Sequence, residues 1–290
     1  MYKTYLTNFS LPSEGAETGF LMTLRRTCYN GVYPFKLFPK KLLEDIKFGP
    51  VTVFYGSNGS GKSTLLNVIA EKLGVIRHSA FSGGAFFGEY ISMCHAETGG
   101  IPPVSQILTS DDVFDYMLNI RYLNDGIDVR REELFDEWIS GKYAKHRFTG
   151  MKDYDEWKDI CDASTKSQSQ YVRERLRRNV DMYSNGESAM KYFTDHITEN
   201  ALYLLDEPEN SLAVGLQKDL CKYLTDSARH FGCKFVIATH SPVLLSMQEA
   251  VIYDLDEVPV CTKKWTELPN VRQFFEFFEE HRDEFAEVPV

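Results

Sequence analysis

The chain has 290 residues, of which 43% are hydrophobic and 26% charged, a composition that allows a sizeable core and excludes wholesale disorder. The formal net charge of −10 argues against a protein that binds nucleic acid over its whole surface, so a role on DNA or RNA would need a local basic patch. The apolar runs are far shorter than a membrane-spanning helix requires, and the N-terminal residues lack the layout of a secretion signal, so we expect a soluble cytoplasmic protein.

Three short apolar runs predict buried strands, namely Val51–Tyr55, Ala201–Leu205 and Lys234–Ala238. The first and second runs are followed by amphipathic helical patterns that end near Gly74 and Gly232. Strand–helix–strand units of this kind imply right-handed crossovers and a largely parallel sheet. The six cysteines contain no C-x-x-C pair, which favours free thiols in a reducing compartment over a zinc site.

The middle of the chain has the apolar spacing of helices. We expect a helical lobe at about residues 108–182, inserted into one domain that spans residues 1–290. Ser110 begins this lobe, with helical patterns around residues 134–139 and 172–180. Residues 255–290 form a C-terminal extension, in which the acidic, aromatic tail from Phe274 to Glu287 predicts an amphipathic docking helix.

A glycine-rich loop between the first strand and its helix fits G-x-x-x-x-G-K-[ST], a motif whose backbone N–H groups surround phosphates. The motif predicts that Lys62 reaches the β- and γ-phosphates and that the Ser63 hydroxyl binds Mg²⁺. The predicted nucleotide-binding residues are Gly56, Ser57, Asn58, Gly59, Ser60, Gly61, Lys62, Ser63 and Thr64.

Two adjacent carboxylates end the second strand. This arrangement is energetically unfavourable unless a cation or a ligand offsets their charge. We expect Asp206 to hold Mg²⁺ and Glu207 to polarise the attacking water. The alternative is a solvated acidic turn, since Pro208 and Asn210 are typical turn residues.

The segment Ser184–Glu187 precedes a further amphipathic helix and has the S-x-x-E spacing of a capping box. A serine- and glycine-rich helix start is also an anion site, so the two interpretations are compatible. The segment lies 22 residues before Asp206 (206 − 184).

Together, the loop, the acidic strand end and this segment resemble ABC-class ATPases. The resemblance implies an α/β fold, an ABC-type P-loop ATPase core with a mostly parallel sheet plus an inserted helical lobe, with ATP and Mg²⁺ as ligands. In that family the signature of one subunit closes on the γ-phosphate held by the other, so a two-ATP homodimer is implied. The signature residues acting in trans would be Ser184, Asn185, Gly186 and Glu187.

Further residues take roles from the same resemblance. His240, 33 residues after Glu207 (240 − 207), resembles the histidine that contacts the γ-phosphate and orients the water. Gln106, 44 residues after Lys62 (106 − 62), is at a suitable distance for the glutamine that senses Mg²⁺. The predicted catalytic residues are therefore Glu207, His240 and Lys62. Tyr33 and Phe35 either stack on adenine or pack in the core, and packing is favoured.

The signature differs from that of transporter subunits at Asn185 and Glu187, where Gly and Gln are usual. The chain looks most like small stand-alone bacterial "AAA family" ATPases near the RecF, SMC and OLD groups. Five cations before the signature are predicted to form a basic stripe on one helix, either a solvated face or a contact for phosphate or nucleic acid. They are Lys166, Arg173, Arg175, Arg177 and Arg178.

These observations favour a soluble ATP-hydrolysing switch or motor that acts on an unknown macromolecular partner, without membrane insertion. The alternative is an ATP-gated clamp or regulatory subunit for DNA or a nuclease, in DNA repair or phage defence. The nucleotide-binding subunit of a membrane transporter is the least favoured of the three.

Overall fold

The computed structural model describes residues 4–24, 31–144, 154–180 and 183–286. The chain divides into two compact units, Met1–Val113 with Asn185–Val290, and Phe114–Ser184. The strands described in the first unit are β1 (Leu6–Ser10), β2 (Asp45–Lys47), β3 (Val51–Tyr55), β4 (His95–Thr98), β5 (Gln106–Thr109), β6 (Leu202–Asp206), β7 (Lys234–Ala238), β8 (Ala250–Asp254) and β9 (Cys261–Lys263).

The larger sheet of this unit has the strand order β5-β6-β7-β3-β8-β9. Its first five strands are parallel, and β9 pairs antiparallel with β8. All five residues of β3 are buried, as expected for a central parallel strand covered on both faces. A smaller antiparallel sheet has the order β2-β1-β4. The three predicted strands are therefore confirmed, with β6 displaced by one residue to include Asp206.

Helices cover the sheets of the first unit, and their ends follow local rules. The first long helix after β3 ends at Leu73 and is capped by Gly74, which adopts the left-handed conformation at φ 62° that glycine tolerates best. The helices of this unit are α1 (Glu14–Thr23), α2 (Lys62–Leu73), α3 (Phe87–Met93), the first residues of α4 (Ser110–Tyr143), α7 (Asn185–His196), α8 (Val214–His230), α9 (Pro242–Leu245), α10 (Pro269–Glu280) and α11 (Arg282–Ala286).

The second unit is helical in its described residues. It holds most of α4, together with α5 (Tyr154–Thr165) and α6 (Gln168–Arg175). Its own small core contains the buried side chains of Leu134, Ala163 and Tyr171. The helical patterns predicted around residues 110 and 134–139 belong to the single helix α4, which begins at Ser110 as expected.

The prediction of one basic helix before the signature was wrong. Helix α6 ends at Arg175, because Leu176 is extended (φ −122°, ψ 136°), so Arg177 and Arg178 lie beyond the helix and Lys166 lies before it. Cations separated in this way cannot share one helical face.

The predicted tail helix is observed as the two consecutive helices α10 and α11, and its last residue, Glu287, lies outside the described residues. In the described part of the chain, five cysteines are free thiols: Cys94, Cys161, Cys221, Cys233 and Cys261. Within those same ranges, no helix combines the length and apolar character needed to cross a membrane.

Candidate active site

The glycine loop joins the end of β3 to the start of α2. Gly59 and Gly61 have φ values of 80° and 98°, a region that favours glycine over residues with a Cβ. A Cβ on Gly56 would lie only 2.5 Å from the Ser60 hydroxyl oxygen, so the loop cannot close around a larger residue there. The loop therefore leads directly into the N-terminus of α2, where free N–H groups and the helix dipole favour an anion.

Lys62 is buried, and its Nζ donates hydrogen bonds to the carbonyl oxygens of Gly56 (2.8 Å) and Ser57 (3.1 Å). Its ammonium group is thus held against the loop. The next residue, Ser63, donates from its hydroxyl to Oδ1 of Asp206 at 2.9 Å. This bond joins two residues 143 positions apart, and it brings the glycine loop and the acidic strand end together as the sequence predicts.

Asp206 lies at the end of β6 in a poorly hydrated position. Burial raises the pKa of its carboxyl to about 6; the Ser63 hydrogen bond opposes this shift and the charge of Glu207 adds to it. Such a carboxylate gains from a nearby cation. A hydroxyl and a carboxylate oxygen in contact match the oxygen ligands of Mg²⁺, which is usually held by one or two carboxylates together with substrate phosphates. The residues present therefore fit this ion.

Glu207 stands at the wall of a cleft of about 490 Å³ beside the loop. Its backbone is left-handed (φ 47°), a strained conformation for a non-glycine residue, and its N–H donates to the carbonyl of Ala238 at 2.9 Å. Its carboxylate accepts a hydrogen bond from Asn210 at 3.2 Å. The cleft is lined by Tyr33, Leu37, Asn58, Gly59, Gly61, Lys62, Ser63, Thr64 and Glu207.

His240 follows β7 and lies beside two carboxylates. Its Nδ1 is 3.8 Å from Oε1 of Glu207 and 3.6 Å from Oε1 of Glu209. The structure thus brings His240 next to Glu207, and about half of the histidine side chain stays exposed.

Glu209 lies in the segment where the sequence suggests a turn, and it has a role that the sequence does not predict. It is buried, and its Oε1 accepts hydrogen bonds from the Thr239 hydroxyl (2.5 Å) and from the backbone N–H of His240 (3.1 Å). It therefore holds the segment that carries the histidine. The sequence offered one signal, a third acid three residues after the end of the buried strand.

Asp256 was also missed. Its carboxylate accepts hydrogen bonds from the backbone N–H (2.7 Å) and the hydroxyl (3.0 Å) of Ser57, so it fastens the glycine loop to the segment after β8. The two residues are 199 positions apart, and nothing in the local sequence around Asp256 indicates this contact.

Tyr33 and Phe35 have different environments. Tyr33 lines the cleft, is 40% exposed and donates from its hydroxyl to the Thr64 side chain at 2.8 Å. Phe35 is buried and stacks on Phe20, with ring centroids 5.0 Å apart. Phe35 thus has a packing role, and Tyr33 is the aromatic side chain available to a ligand in the cleft.

The structure does not bring Gln106 to this site. Gln106 begins β5 and pairs with Tyr203, whereas Thr109 pairs with Asp206 three residues later. At about 3.3 Å per strand residue, this register places Gln106 roughly 10 Å along the sheet from Asp206. Its side-chain amide instead donates to the carbonyl of His196 at 2.7 Å. The proposed Mg²⁺ role of Gln106 is therefore corrected to a structural one.

The division of the chain into two units falls within the signature segment. Ser184 is the last residue of the second unit, and α7 begins at Asn185. A Cβ on Gly186 would lie 2.7 Å from Cδ1 of Leu216 and 3.2 Å from the carbonyl oxygen of Ser211. Close packing of α7 against residues 211–216 thus requires glycine at position 186.

Among solved structures, the chain is similar to the Smc head domain bound to the C-terminal domain of ScpA, derived from Pyrococcus furiosus. The match has a TM-score of 0.45 and 13% identity and covers 96% of this chain and 99% of that one. A post-hydrolysis dimer of the ATP-binding cassette MJ0796, bound to ADP and Pi, matches with a TM-score of 0.36 and 14% identity over 77% of this chain and 90% of that one. Similarity at this level indicates no substrate or partner for this chain.

A curated relative is the maltose/maltodextrin import ATP-binding protein MalK of Photobacterium profundum, which is 26% identical over 234 residues. The alignment covers 80% of this chain and 55% of that relative, so the chain spans about half the relative's length. The family model described as "ABC transporter" matches residues 40–210, more than half of the chain. This chain therefore belongs to the ABC transporter family, and its α/β core is that of an ABC-class P-loop ATPase.

Proposed function

We propose that this chain binds Mg-ATP in the cleft beside the glycine loop and hydrolyses it to ADP and phosphate. The observation that carries the proposal is the meeting of three groups at one place. Ser63 is hydrogen-bonded to Asp206, Lys62 lies against the loop, and Glu207 borders the same cleft. Each group is the chemical type that in-line phosphoryl transfer to water requires.

Each residue has a distinct part in this reaction. Lys62 contacts the β- and γ-phosphates, and Ser63 with Asp206 holds Mg²⁺, which neutralises phosphate charge when bound. Glu207 accepts a hydrogen bond from the attacking water and aims it at phosphorus. His240, whose Nδ1 is 3.8 Å from that carboxylate, contacts the γ-phosphate and helps to orient the attacking water. Tyr33 packs against the base or sugar from the cleft wall.

We further propose that two copies enclose two nucleotides, with Ser184–Glu187 of one copy contacting the γ-phosphate held by the other. This proposal is supported by family membership and by the start of α7 directly after Ser184, since a helix N-terminus is suited to an anion. The cleft that Lys62, Ser63 and Glu207 line is open to solvent, which leaves room for a partner surface to complete the site.

The experiment is the replacement Glu207→Gln, which keeps the shape of the side chain but removes its charge. We expect Mg-ATP turnover to fall by at least about 100-fold, because the carboxylate no longer polarises water, whereas ATP binding persists. With saturating Mg-ATP, the mass of this variant measured by light scattering should be that of a dimer.

The matched control is Glu199→Gln, an exposed glutamate that precedes β6 at the opposite edge of the sheet. It should leave turnover and mass unchanged. Undiminished turnover in the Glu207→Gln protein would refute the role of that carboxylate, and a monomer under saturating Mg-ATP would refute the two-nucleotide dimer.

A transporter subunit is an equally supported second candidate, although the signature departures at Asn185 and Glu187 disfavoured it. The favouring observation is the match to an import ATP-binding protein over 80% of this chain. Purification of the chain from its native source under mild detergent tests this role, since a transporter subunit would copurify with a membrane protein. The DNA clamp has less support, because Lys166 and Arg175 of the expected basic stripe are paired with acidic residues.

A further inference from the structure

The helical unit contains a cleft of about 250 Å³, which we call the arginine cleft. The buried side chain of Val172 and the half-buried side chains of Phe135 and Leu176 form an apolar part of its lining. Arg173, Arg177 and Arg178 surround this apolar part and are exposed. Arg131 also lines it and is bonded to Asp128 and Asn179.

The three exposed arginines have no carboxylate partner among the described residues. Two acids of the same unit, Asp162 and Glu174, pair with other cations. Asp162 is paired with Arg175 at 2.8 Å and with Lys166 at 3.0 Å. Unpaired guanidinium groups around the apolar part of the cleft fit a ligand that combines carboxylates with apolar side chains. The reason is that guanidinium groups bind carboxylates in bidentate geometry.

The chain itself carries a surface of that composition. Helices α10 and α11 expose five phenylalanines with exposed fractions between 47% and 61%, so a large aromatic area faces solvent. Three acids on the same helices, Glu276, Glu280 and Asp283, have no basic partner in the described structure. The exposed phenylalanines are Phe274, Phe275, Phe277, Phe278 and Phe285.

We propose that the α10–α11 surface of one copy docks in the arginine cleft of a second copy. The charges of the two surfaces are complementary, and each surface also has an exposed apolar part. One contact between them would pair the charges and bury the apolar side chains. In a two-fold symmetric dimer the contact occurs twice, since each copy supplies one helix pair and one cleft.

The position of α10 within the first unit supports this pairing. The Asn270 side chain donates to the carbonyl oxygen of His240 at 2.9 Å, and the Asn270 backbone N–H donates to the Tyr55 hydroxyl at 3.2 Å. Helix α10 therefore starts beside the candidate catalytic histidine. A partner that approaches the nucleotide at this edge also approaches α10.

The position of the arginine cleft along the chain supports the pairing from the other side. Arg178 precedes Ser184 by six residues (184 − 178), a span of at most about 20 Å when fully extended. If Ser184 contacts the nucleotide of the second copy, the arginine cleft comes within reach of that copy's α10. This step rests on the two-nucleotide dimer proposed above.

Nucleic acid is the less favoured occupant. A polyanion would be repelled by a chain of net charge −10, and the apolar part of the cleft would gain nothing from phosphates. An acidic aromatic helix can pair its carboxylates with the arginines and bury its rings on the apolar part of the cleft.

The test is a charge exchange in the Glu207→Gln chain with all 290 residues present. Arg177→Glu with Arg178→Glu should weaken the dimer formed in saturating Mg-ATP by at least tenfold, measured by sedimentation velocity. Glu276→Lys with Glu280→Lys should do the same. All four changes in one chain should bring the dissociation constant back to within about threefold of the starting value, because the opposite charges meet again.

The matched control is Lys218→Glu with Lys222→Glu, which changes net charge by the same amount at two exposed positions of α8. It should alter the dissociation constant less than twofold. The unfolding midpoint of every variant, measured by circular dichroism, shows whether the fold is kept.

Other outcomes separate the two proposals. If neither charge reversal changes the dissociation constant of the Mg-ATP dimer, the docking contact is refuted and the nucleotide dimer is retained. Self-association that responds to the charge exchange but not to nucleotide supports docking and overturns the nucleotide dimer. A monomer under all conditions overturns both.

Two further results overturn docking on a second copy. Charge reversals that change the unfolding midpoint and not the association place the contact within one chain. Binding of a duplex oligonucleotide that is lost in the Arg177→Glu, Arg178→Glu variant, with association unaltered, assigns the cleft to nucleic acid.

Discussion

Two buried lysines lie at opposite ends of the large sheet, and their surroundings differ. Lys62 follows β3 at the carboxyl edge, and Lys234 begins β7 at the amino edge; each is 4% exposed. Each ammonium group donates to two backbone carbonyl oxygens: those of Gly56 and Ser57 for Lys62, and those of Leu6 and Phe48 for Lys234. By burial and hydrogen bonding alone, the two residues are alike.

The difference lies in what else is present. Lys62 lines an open cleft that also contains Ser63 and Glu207. Lys234 instead joins β7 to Leu6 of β1 and to Phe48, directly after β2. Burial alone lowers the pKa of Lys234, to about 8. A buried cation thus indicates a site only where a cleft and further polar groups converge on it; elsewhere it is a structural hydrogen-bond donor.

The largest expected effect comes from replacing each lysine by methionine. Lys62→Met should lower Mg-ATP turnover by about 100- to 1000-fold, the usual loss when a preorganised donor to the reacting group is removed. Lys234→Met should leave turnover within about twofold of the parent. Steady-state phosphate release measures both. Equal losses in the two variants would mean that the lysines act on the fold rather than on chemistry.

A smaller effect is expected at the buried carboxylate that holds the histidine segment. Glu209→Gln keeps an acceptor for Thr239 and the His240 N–H but removes the charge 3.6 Å from Nδ1 of His240. We expect kcat to fall about tenfold, roughly 1.4 kcal/mol, with the KM for ATP changed less than twofold. A rise in KM with unchanged kcat would assign Glu209 to nucleotide binding instead.

A third effect, on stability and not on turnover, concerns the pH dependence of unfolding at Lys234. The unfolded lysine keeps its proton to about pH 10.5 and the folded one to about pH 8, so the unfolded state binds more protons between these values. The free energy of unfolding contributed by this group therefore rises with pH across that window, by roughly 2 kcal/mol between pH 8 and 10.

Urea unfolding of the parent and of Lys234→Met at these two pH values isolates this contribution, because the other titrating groups are common to both proteins. Below pH 8 the two curves should run parallel, since Lys234 is protonated in both states. Parallel curves between pH 8 and 10 as well would contradict the lowered pKa.

Much of the fold and of the loop could be predicted because the signals are contiguous. The five buried residues of β3 and the eight-residue glycine motif lie next to each other in the chain, so local rules suffice. Ser63 and Asp206, both assigned to Mg²⁺ from the sequence, meet because β3 and β6 end at the same edge of a parallel sheet.

The failures involve strand register and helix length. Counting residues from Lys62 to Gln106 ignores register, and the pairing of Gln106 with Tyr203 moves its side chain away from Asp206. The basic residues were joined into one helix because periodicity does not reveal that Leu176 is extended. Glu209 and Asp256 act through contacts with residues 30 or more positions away, which no local pattern encodes.

The two hydrogen bonds that Ser57 donates to Asp256 affect the affinity of the glycine loop for its ligand. Because this carboxylate holds both the N–H and the hydroxyl of Ser57, the entry to the loop takes its shape when the chain folds. The conformational entropy of ordering those residues is then lost before nucleotide arrives and is not subtracted from its affinity. The segment that follows β8, the strand beside β3, thereby helps set how tightly a triphosphate is held.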